Sequence, residues 1–263
     1  MSADSEVNGF GSWYDLKQGD EGDLWHRTLI DPGLLGALGD LSRGTRLLDV
    51  GCGNGYLSRR LARRGAHVVG IDVASALIRR ALAREADEPL GITYLERDAS
   101  DLHGLGDGSF DVAFANMSLM NIPKAKEAIG EVGRVVRDEG RFVFSISHPC
   151  FDVDTRSSWC LEAPAGVGEP QTICRKVTAY REPHSDVFPW MDAAGKVIAR
   201  TTGYHRPLSW YAAALREAGW AIVNLAEPRP TEEFVGRRVA KEWIEAIPLH
   251  LVVDAWRMPR HRP

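Results

Sequence analysis

Apolar positions along the chain alternate between short continuous runs and stretches spaced three and four apart. Leu47, Leu48 and Val50 form a run suited to a strand buried on both faces. Leu57 and Leu61 then repeat at helical spacing, with Gly65 placed as a stop. Val68–Asp72 reads as a second strand and Ala76, Leu77, Ile78, Ala81 and Leu82 as the stripe of a second helix. Ile92–Ala99 supplies a third strand, Phe110–Ala115 a fourth after the turn at Asp107–Ser109, and Arg141–Ile146 a fifth. Between the last two, Ala125, Ile129, Val132 and Val136 predict an amphipathic helix stopped near Gly140. Upstream, Asp31–Pro32 opens a helix through Leu34, Leu35 and Leu38. Strand and helix alternating in this way predict an α/β chain with a doubly wound, mostly parallel sheet and helices on both faces.

The stretch from Asp152 to Thr202 breaks the alternation and is too long for an ordinary connection. It is rich in Pro, Gly and aromatics, and Arg175–Tyr180 and Lys196–Arg200 could pair as strands around a turn at Ala194–Gly195. It reads as a cap inserted after the fifth strand, its composition suited to an organic molecule with aromatic or apolar surface. Pro207 then opens a helix with Leu208, Tyr211, Ala212 and Leu215 buried, Trp220–Leu225 forms a sixth strand, Thr231 starts a further helix, and Leu249–Trp256 is the last strand. The units expected are a lid and helical segment at 1–43, a nucleotide-binding half at 44–150, the cap at 151–203 and a closing half at 204–263.

The turn after the first strand carries the chemistry. Gly51, Gly53 and Gly55 stand in a G-x-G-x-G spacing rather than the G-x-G-x-x-G of a dinucleotide site, and Asp49 precedes them. A carboxylate there repels a diphosphate and suits a ligand with an ammonium group. Asp72 ends the second strand, where a carboxylate can accept both hydroxyls of a ribose, and Asp98 is placed for an adenine amino group. An amine, a ribose and an adenine without phosphate describe S-adenosylmethionine.

These residues, read as L-L-D-V-G-C-G-N-G-Y-L, G-I-D-V-A, E-R-D-A-S-D-L and F-D-V-A-F-A-N-M-S-L-M-N-I in that order, resemble the class I (Rossmann-like) S-adenosylmethionine-dependent methyltransferases of small-molecule, methyltransferase 11/25-like type. The resemblance implies a seven-stranded sheet, an enzyme transferring a methyl group to a small organic acceptor, and cofactor contacts at Asp49, Gly51, Gly53, Asp72, Val73, Asp98, Ala99 and Asn116. It also implies that the aromatic N-terminal segment around Trp13, Tyr14 and Asp15 folds over the sulfonium, which an aromatic face suits; plain packing at the sheet end is the other reading. Residues 1–11 are small, polar and expected to be mobile. Tyr14, His148 and His205 are the candidates nearest the chemistry. His148 follows the fifth strand and is either a general base or a loop-holding histidine; Tyr204 and His205 either meet the acceptor or pack on the cap. The Asp/Asn-Pro-Pro-Tyr/Phe signature of base methylation and the paired acidic residues of a magnesium-dependent catechol site are both absent, so no metal is expected. The acceptor atom, whether N, O or C, is left open.

Composition removes other classes. The chain has 263 residues and a formal net charge of −4, which gives no general attraction to nucleic acid or to an acidic membrane. No apolar run reaches membrane-spanning length, there is no signal-peptide core at the N-terminus, and four widely spaced cysteines without a C-x-x-C pair suggest reduced thiols in a cytoplasmic protein. The spacing of Cys150, Cys160 and Cys174 is too loose to indicate a thiol site. A homo-oligomer is left open; a peptide or protein methyltransferase and a non-catalytic cofactor-binding protein are the alternatives.

Overall fold

The computed structural model describes residues 13–163, 166, 171–191, 195–234 and 240–259. The expected mobility of residues 1–11 lies outside them. Seven strands form the central sheet: β1 (Arg46–Val50), β2 (His67–Asp72), β3 (Thr93–Glu96), β4 (Phe110–Asn116), β5 (Val136–Ser147), β10 (Trp220–Ala226) and β11 (His250–Arg257). Their order is β10-β11-β5-β4-β1-β2-β3, with β11 antiparallel to both neighbours and the other pairs parallel. The chain winds outward from β1 through β2 and β3, then returns to β4 and β5 on the other side. The β1–β4 junction is therefore the topological switch point, and ligands bind beyond the carboxyl ends of the strands at such a crevice.

Helices α1 (Asp31–Leu38), α2 (Tyr56–Ala62), α3 (Ser75–Asp87), α4 (Ala125–Val135) and α5 (Leu208–Glu217) cover the two faces, and α6 (Lys241–Ala246) precedes β11. Each face has its own apolar cluster. One joins Leu48, Phe142 and Phe144 to Ile129, Val132 and Leu215; the other joins Leu47, Phe114 and Val143 to Leu34, Leu38 and Leu61. Because both faces are covered, β1 is buried from Leu47 to Val50, which is why it reads as a run rather than an alternation.

Four strands make two hairpins between β5 and α5. β6 (Ser157–Glu162) pairs antiparallel with β7 (Thr172–Val177), and β8 (His184–Met191) with β9 (Val197–His205). The expected pairing of 175–180 with 196–200 is thus replaced: each segment finds a nearer partner in sequence, at lower loop-closure entropy. Ala194 of the expected turn lies outside the described residues. Three further expectations change. α4 ends at Val135 and the chain is already extended from Val136. Thr231 begins a turn rather than a helix. Ala212 is exposed, and Ala214 takes its place in the buried stripe of α5. Cys160 and Cys174, opposite each other on β6 and β7, form a disulfide, which overturns the expectation of four reduced thiols. Sequence spacing could not show it, because the bridge depends on cross-strand register. No helix among the described residues is long and apolar enough to cross a membrane.

Candidate active site

The glycine turn is held from two sides. Gly51, at φ +74°, lies under Ser118: a Cβ there would stand 2.4 Å from the serine Cβ. Ser118 cannot withdraw easily, since its hydroxyl donates to the Val50 carbonyl at 2.6 Å. Gly53, at φ +57°, donates its N–H to Asp72 Oδ2 at 2.9 Å, and the Tyr14 ring covers it, 3.6 Å from where a Cβ would be. The other Asp72 oxygen accepts from the Ala74 N–H at 2.8 Å. Each oxygen keeps a further lone pair, so the carboxylate remains able to receive two hydroxyls. Burial raises the Asp72 pKa, against the lowering effect of these backbone donors.

Asp49 is the more perturbed carboxyl. It is 2 % exposed, and among the described residues its carboxylate accepts one hydrogen bond, from the Ser58 hydroxyl at 2.5 Å. Burial, reinforced by the charge of Asp72, pushes its pKa up to about 7 despite that bond.

A buried polar network locks the end of β4. Asn116 donates to Asp31 Oδ1 and to the Tyr56 hydroxyl, both at 2.9 Å, and accepts from Ser145 Oγ at 2.7 Å. Tyr56 donates to the same Asp31 oxygen at 3.0 Å, and the Met117 N–H donates to Ser145 Oγ at 2.9 Å. Four elements (α1, α2, β4 and β5) are thereby tied together beside the glycine turn. Met117 follows with φ +53°, a strained conformation for a side chain of its size, at the floor of the site. Sequence reading took Asp31 only as a helix start; its complete burial has no local signature, because the partners are 25 and 85 residues away.

A cavity of about 800 Å³ opens over these strand ends. Tyr14, Gly51, Gly53, Asp72, Val73, Asp98, Ala99, Asn116 and His205 all line it. Asp49 lines instead a void of about 20 Å³ that shares Tyr14, His26, Gly51, Gly53 and Asn116 with the cavity wall. Asp98 has one oxygen engaged by the Ser100 N–H and hydroxyl, both at 2.8 Å. Burial, with the charges of Asp23 and Asp72, holds the Tyr14 hydroxyl well above the usual tyrosine range. Its ring forms part of the cavity wall over Gly53.

The two histidines separate. His148 lines neither space. Its Nε2 faces Glu227 at 3.2 Å, its Nδ1 accepts from the Cys150 N–H at 3.2 Å, and its ring packs on Phe151. Both ring nitrogens are thus engaged in holding the loop after β5. His205, at the end of β9, lines the cavity with its Nε2 2.8 Å from the Tyr180 carbonyl. A carbonyl only accepts, so Nε2 carries the proton and Nδ1 the lone pair. Burial lowers the pKa of His205, with the neighbouring His184 adding to that effect, so the ring is neutral at neutral pH.

The remaining wall comes from the hairpin β8–β9. Along β8 the residues alternate between partly covered and exposed, which turns Phe188 and Trp190 inward. Trp190 donates its Nε1–H to Thr201 Oγ1 at 2.8 Å and meets Trp13 at 4.9 Å between ring centroids, with Lys17 Nζ over both rings. Among the described residues no cluster of three or more metal-ligating side chains occurs.

Residues 48–144 match the family described as "Methyltransferase domain". Over 86 % of its length the chain also superposes on 96 % of an S-adenosylmethionine-dependent methyltransferase from Mesorhizobium loti, with a TM-score of 0.66 and 28 % identity. Residues 48–144 thus form a methyltransferase domain, and the chain is similar to the class I S-adenosylmethionine-dependent methyltransferases. Among curated relatives, the chain is 36 % identical over 102 residues to a ubiquinone biosynthesis O-methyltransferase from Hahella chejuensis, a match covering 39 % of the chain and 43 % of the relative. The chain thus spans less than half the length of that relative. A Burkholderia thailandensis 1,6-didemethyltoxoflavin-N1-methyltransferase, solved with S-adenosylhomocysteine, shares the fold at a TM-score of 0.56 over 98 % of this chain and 92 % of its own, at 16 % identity. The site fits the cofactor of the family. The glycine turn leaves space a Cβ would fill, Asp72 has free lone pairs, and the cavity runs on from there to Asp98 and Ala99.

Proposed function

We propose that the protein transfers the methyl group of S-adenosylmethionine to an N or O atom of a small organic acceptor held under β8 and β9. The observation that carries this reading is the continuity of one cavity from Asp72 and Asp98 to Trp190 and His205. At about 800 Å³ it falls in the upper part of the range of small-molecule sites, ~300–1,000 Å³, with room for two ligands side by side.

In this reading Asp72 receives the ribose hydroxyls, Asp98 the adenine amino group, and Val73 and Ala99 pack on the base. Gly51, Gly53 and Tyr14 enclose the other end of the cofactor, with the void beside Asp49 sized for an ammonium group. The bound cofactor supplies an electrophilic methyl group, already activated by the sulfonium. The protein's own work is alignment and exclusion of water, and alignment alone can contribute roughly 7–11 kcal/mol to lowering a barrier. Asn116 acts at one remove, since all its hydrogen bonds go to Asp31, Tyr56 and Ser145: it fixes the strand end rather than touching the methyl group. The Nδ1 lone pair of His205 takes a proton from an acceptor that arrives protonated.

Calorimetric titration with S-adenosylhomocysteine tests the cofactor assignment. Micromolar binding is expected, weakened at least tenfold in Asp72→Ala. Unchanged affinity in the variant rejects the role of Asp72, and binding without turnover of any acceptor favours a non-catalytic cofactor-binding protein.

A further inference from the structure

One charge in the cavity wall has no counter-charge among the described residues. Arg206, directly after β9, is only 7 % exposed, yet no carboxylate lies within ion-pair distance of it among the described residues. Its Nη2 donates to the backbone carbonyls of Ile122 at 2.7 Å and Pro123 at 3.0 Å, while its Nη1 has no acceptor among the described residues. The guanidinium is clamped between the rings of Tyr204 and Trp210, 5.1 and 4.8 Å from their centroids. A guanidinium keeps its charge, and burying one without a counter-charge is unfavourable enough that proteins seldom do it outside binding sites. The other carboxylates of the wall are committed elsewhere: Asp152 pairs with Arg175 at 2.9 Å, and Asp72 and Asp98 belong to the cofactor half. A second cation on the same strand, the exposed Arg200, makes no ion pair among the described residues and also lines the cavity. The acceptor half of the cavity is therefore positive, with aromatic walls.

We infer that the acceptor is an aromatic compound bearing a carboxylate, and that Arg206 is the residue that selects it. The inference rests on the methyl-transfer reading above. With Nη2 held by the two carbonyls, Nη1 is the donor left for one carboxylate oxygen in a charge-assisted hydrogen bond, and stacking on Tyr204 and Trp210 holds the guanidinium in place beforehand. Phe188 and Trp190 offer faces for the ring of the same molecule. Arg200 raises the local concentration of anions at the cavity.

The test is binding of benzoate, 4-hydroxybenzoate and salicylate, each against its neutral amide, to protein saturated with S-adenosylhomocysteine at pH 7.5. The readout is calorimetry, with the intrinsic tryptophan fluorescence of the chain as a second signal. At least one acid should bind ten times or more tighter than its amide. In Arg206→Gln that preference should vanish while the affinity for S-adenosylhomocysteine stays within threefold. In Arg206→Lys, which keeps the charge and loses the carbonyl-anchored guanidinium, the preference should be reduced but present. If no acid outbinds its amide in the wild type, or if Arg206→Gln keeps the preference, the inference is overturned. A tenfold loss of S-adenosylhomocysteine affinity in a folded Arg206→Gln also overturns it, by assigning the arginine to the cofactor's own carboxylate. Should Arg206→Gln fail to fold, the wild-type acid-to-amide ratio and Arg206→Lys carry the decision. Failure of S-adenosylhomocysteine to bind the wild type is a different outcome, one that removes the methyl-transfer reading itself.

Discussion

Asp49 gives the sharpest quantitative expectation. Its carboxyl ionises near the ordinary 3.8 in the unfolded chain and at about 7 in the fold. Between those values the unfolded chain gives up its proton while the folded one keeps it, so rising pH favours unfolding. At about 1.36 kcal/mol for each tenfold change in proton affinity, the penalty grows to about 4 kcal/mol once the pH exceeds 7. Asn at this position is nearly isosteric, can still accept from Ser58 and never ionises. Asp49→Asn should therefore match the wild type at pH 4 and exceed its stability by about 4 kcal/mol at pH 8. Urea denaturation of both proteins at one-unit pH steps measures it. The difference between the two curves is the quantity to follow, because His148, His205 and His250, whose pKa values burial lowers, add a slope of the opposite sign that the two proteins share. A difference that stays constant from pH 4 to 8 would refute the reasoning, and would mean that the void of about 20 Å³ beside Asp49 holds water that hydrates the carboxylate. The same substitution should abolish any rise of S-adenosylhomocysteine affinity between pH 6 and 8, since a ligand ammonium attracts only the ionised form.

Three further expectations concern the site and the cap. His205→Ala should lower turnover of a protonated acceptor by about 10²–10⁴-fold, with the wild-type acid limb lying below pH 6.5, whereas His148→Ala should leave the pH profile of kcat unshifted; equal profiles for all three proteins would reduce catalysis to alignment. Gly51→Ala places a side chain at φ +74° and against Ser118, and should cost about 2–4 kcal/mol of stability in thermal or urea unfolding; a variant within 0.5 kcal/mol of wild type counts against the tight Ser118 contact. Thiol titration of denatured protein should find two reactive cysteines, Cys52 and Cys150, without reductant and four after reduction; four from the start would break the bridge between β6 and β7.

How much of this was legible in the chain depends on the range of the interaction. The strands around the glycine turn, and Asp72 and Asp98 at their ends, follow from local runs and spacings, because a parallel sheet covered on both faces leaves the same imprint wherever it occurs. What β6–β9 pair with was not legible: choosing between competing strand partners needs the register that tertiary packing sets. The same limit explains His148 and His205. Each follows a strand in sequence, and only the fold shows that one turns to Glu227 and the other into the cavity. Asp31 and Arg206 looked like ordinary helix-flanking residues, and burial alone distinguishes them. The alternation of exposure along β8 left no mark in the sequence, because Val187 to Met191 is one continuous apolar run.

The meeting of Trp13 with Trp190 joins two stretches of chain that are 177 positions apart and belong to different parts of the sequence reading. One is packed over the glycine turn, the other over the acceptor side. Neither ring belongs to the seven-stranded sheet, so parting them leaves its hydrogen-bond ladder intact. An aromatic pair contributes only about 0.5–1.5 kcal/mol beyond the area it covers, a few times thermal energy. In the proposed reading the roof is thus a seam, fastened by side chains, with Lys17 across both rings, rather than by a backbone ladder, and each of its edges borders one of the two ligands.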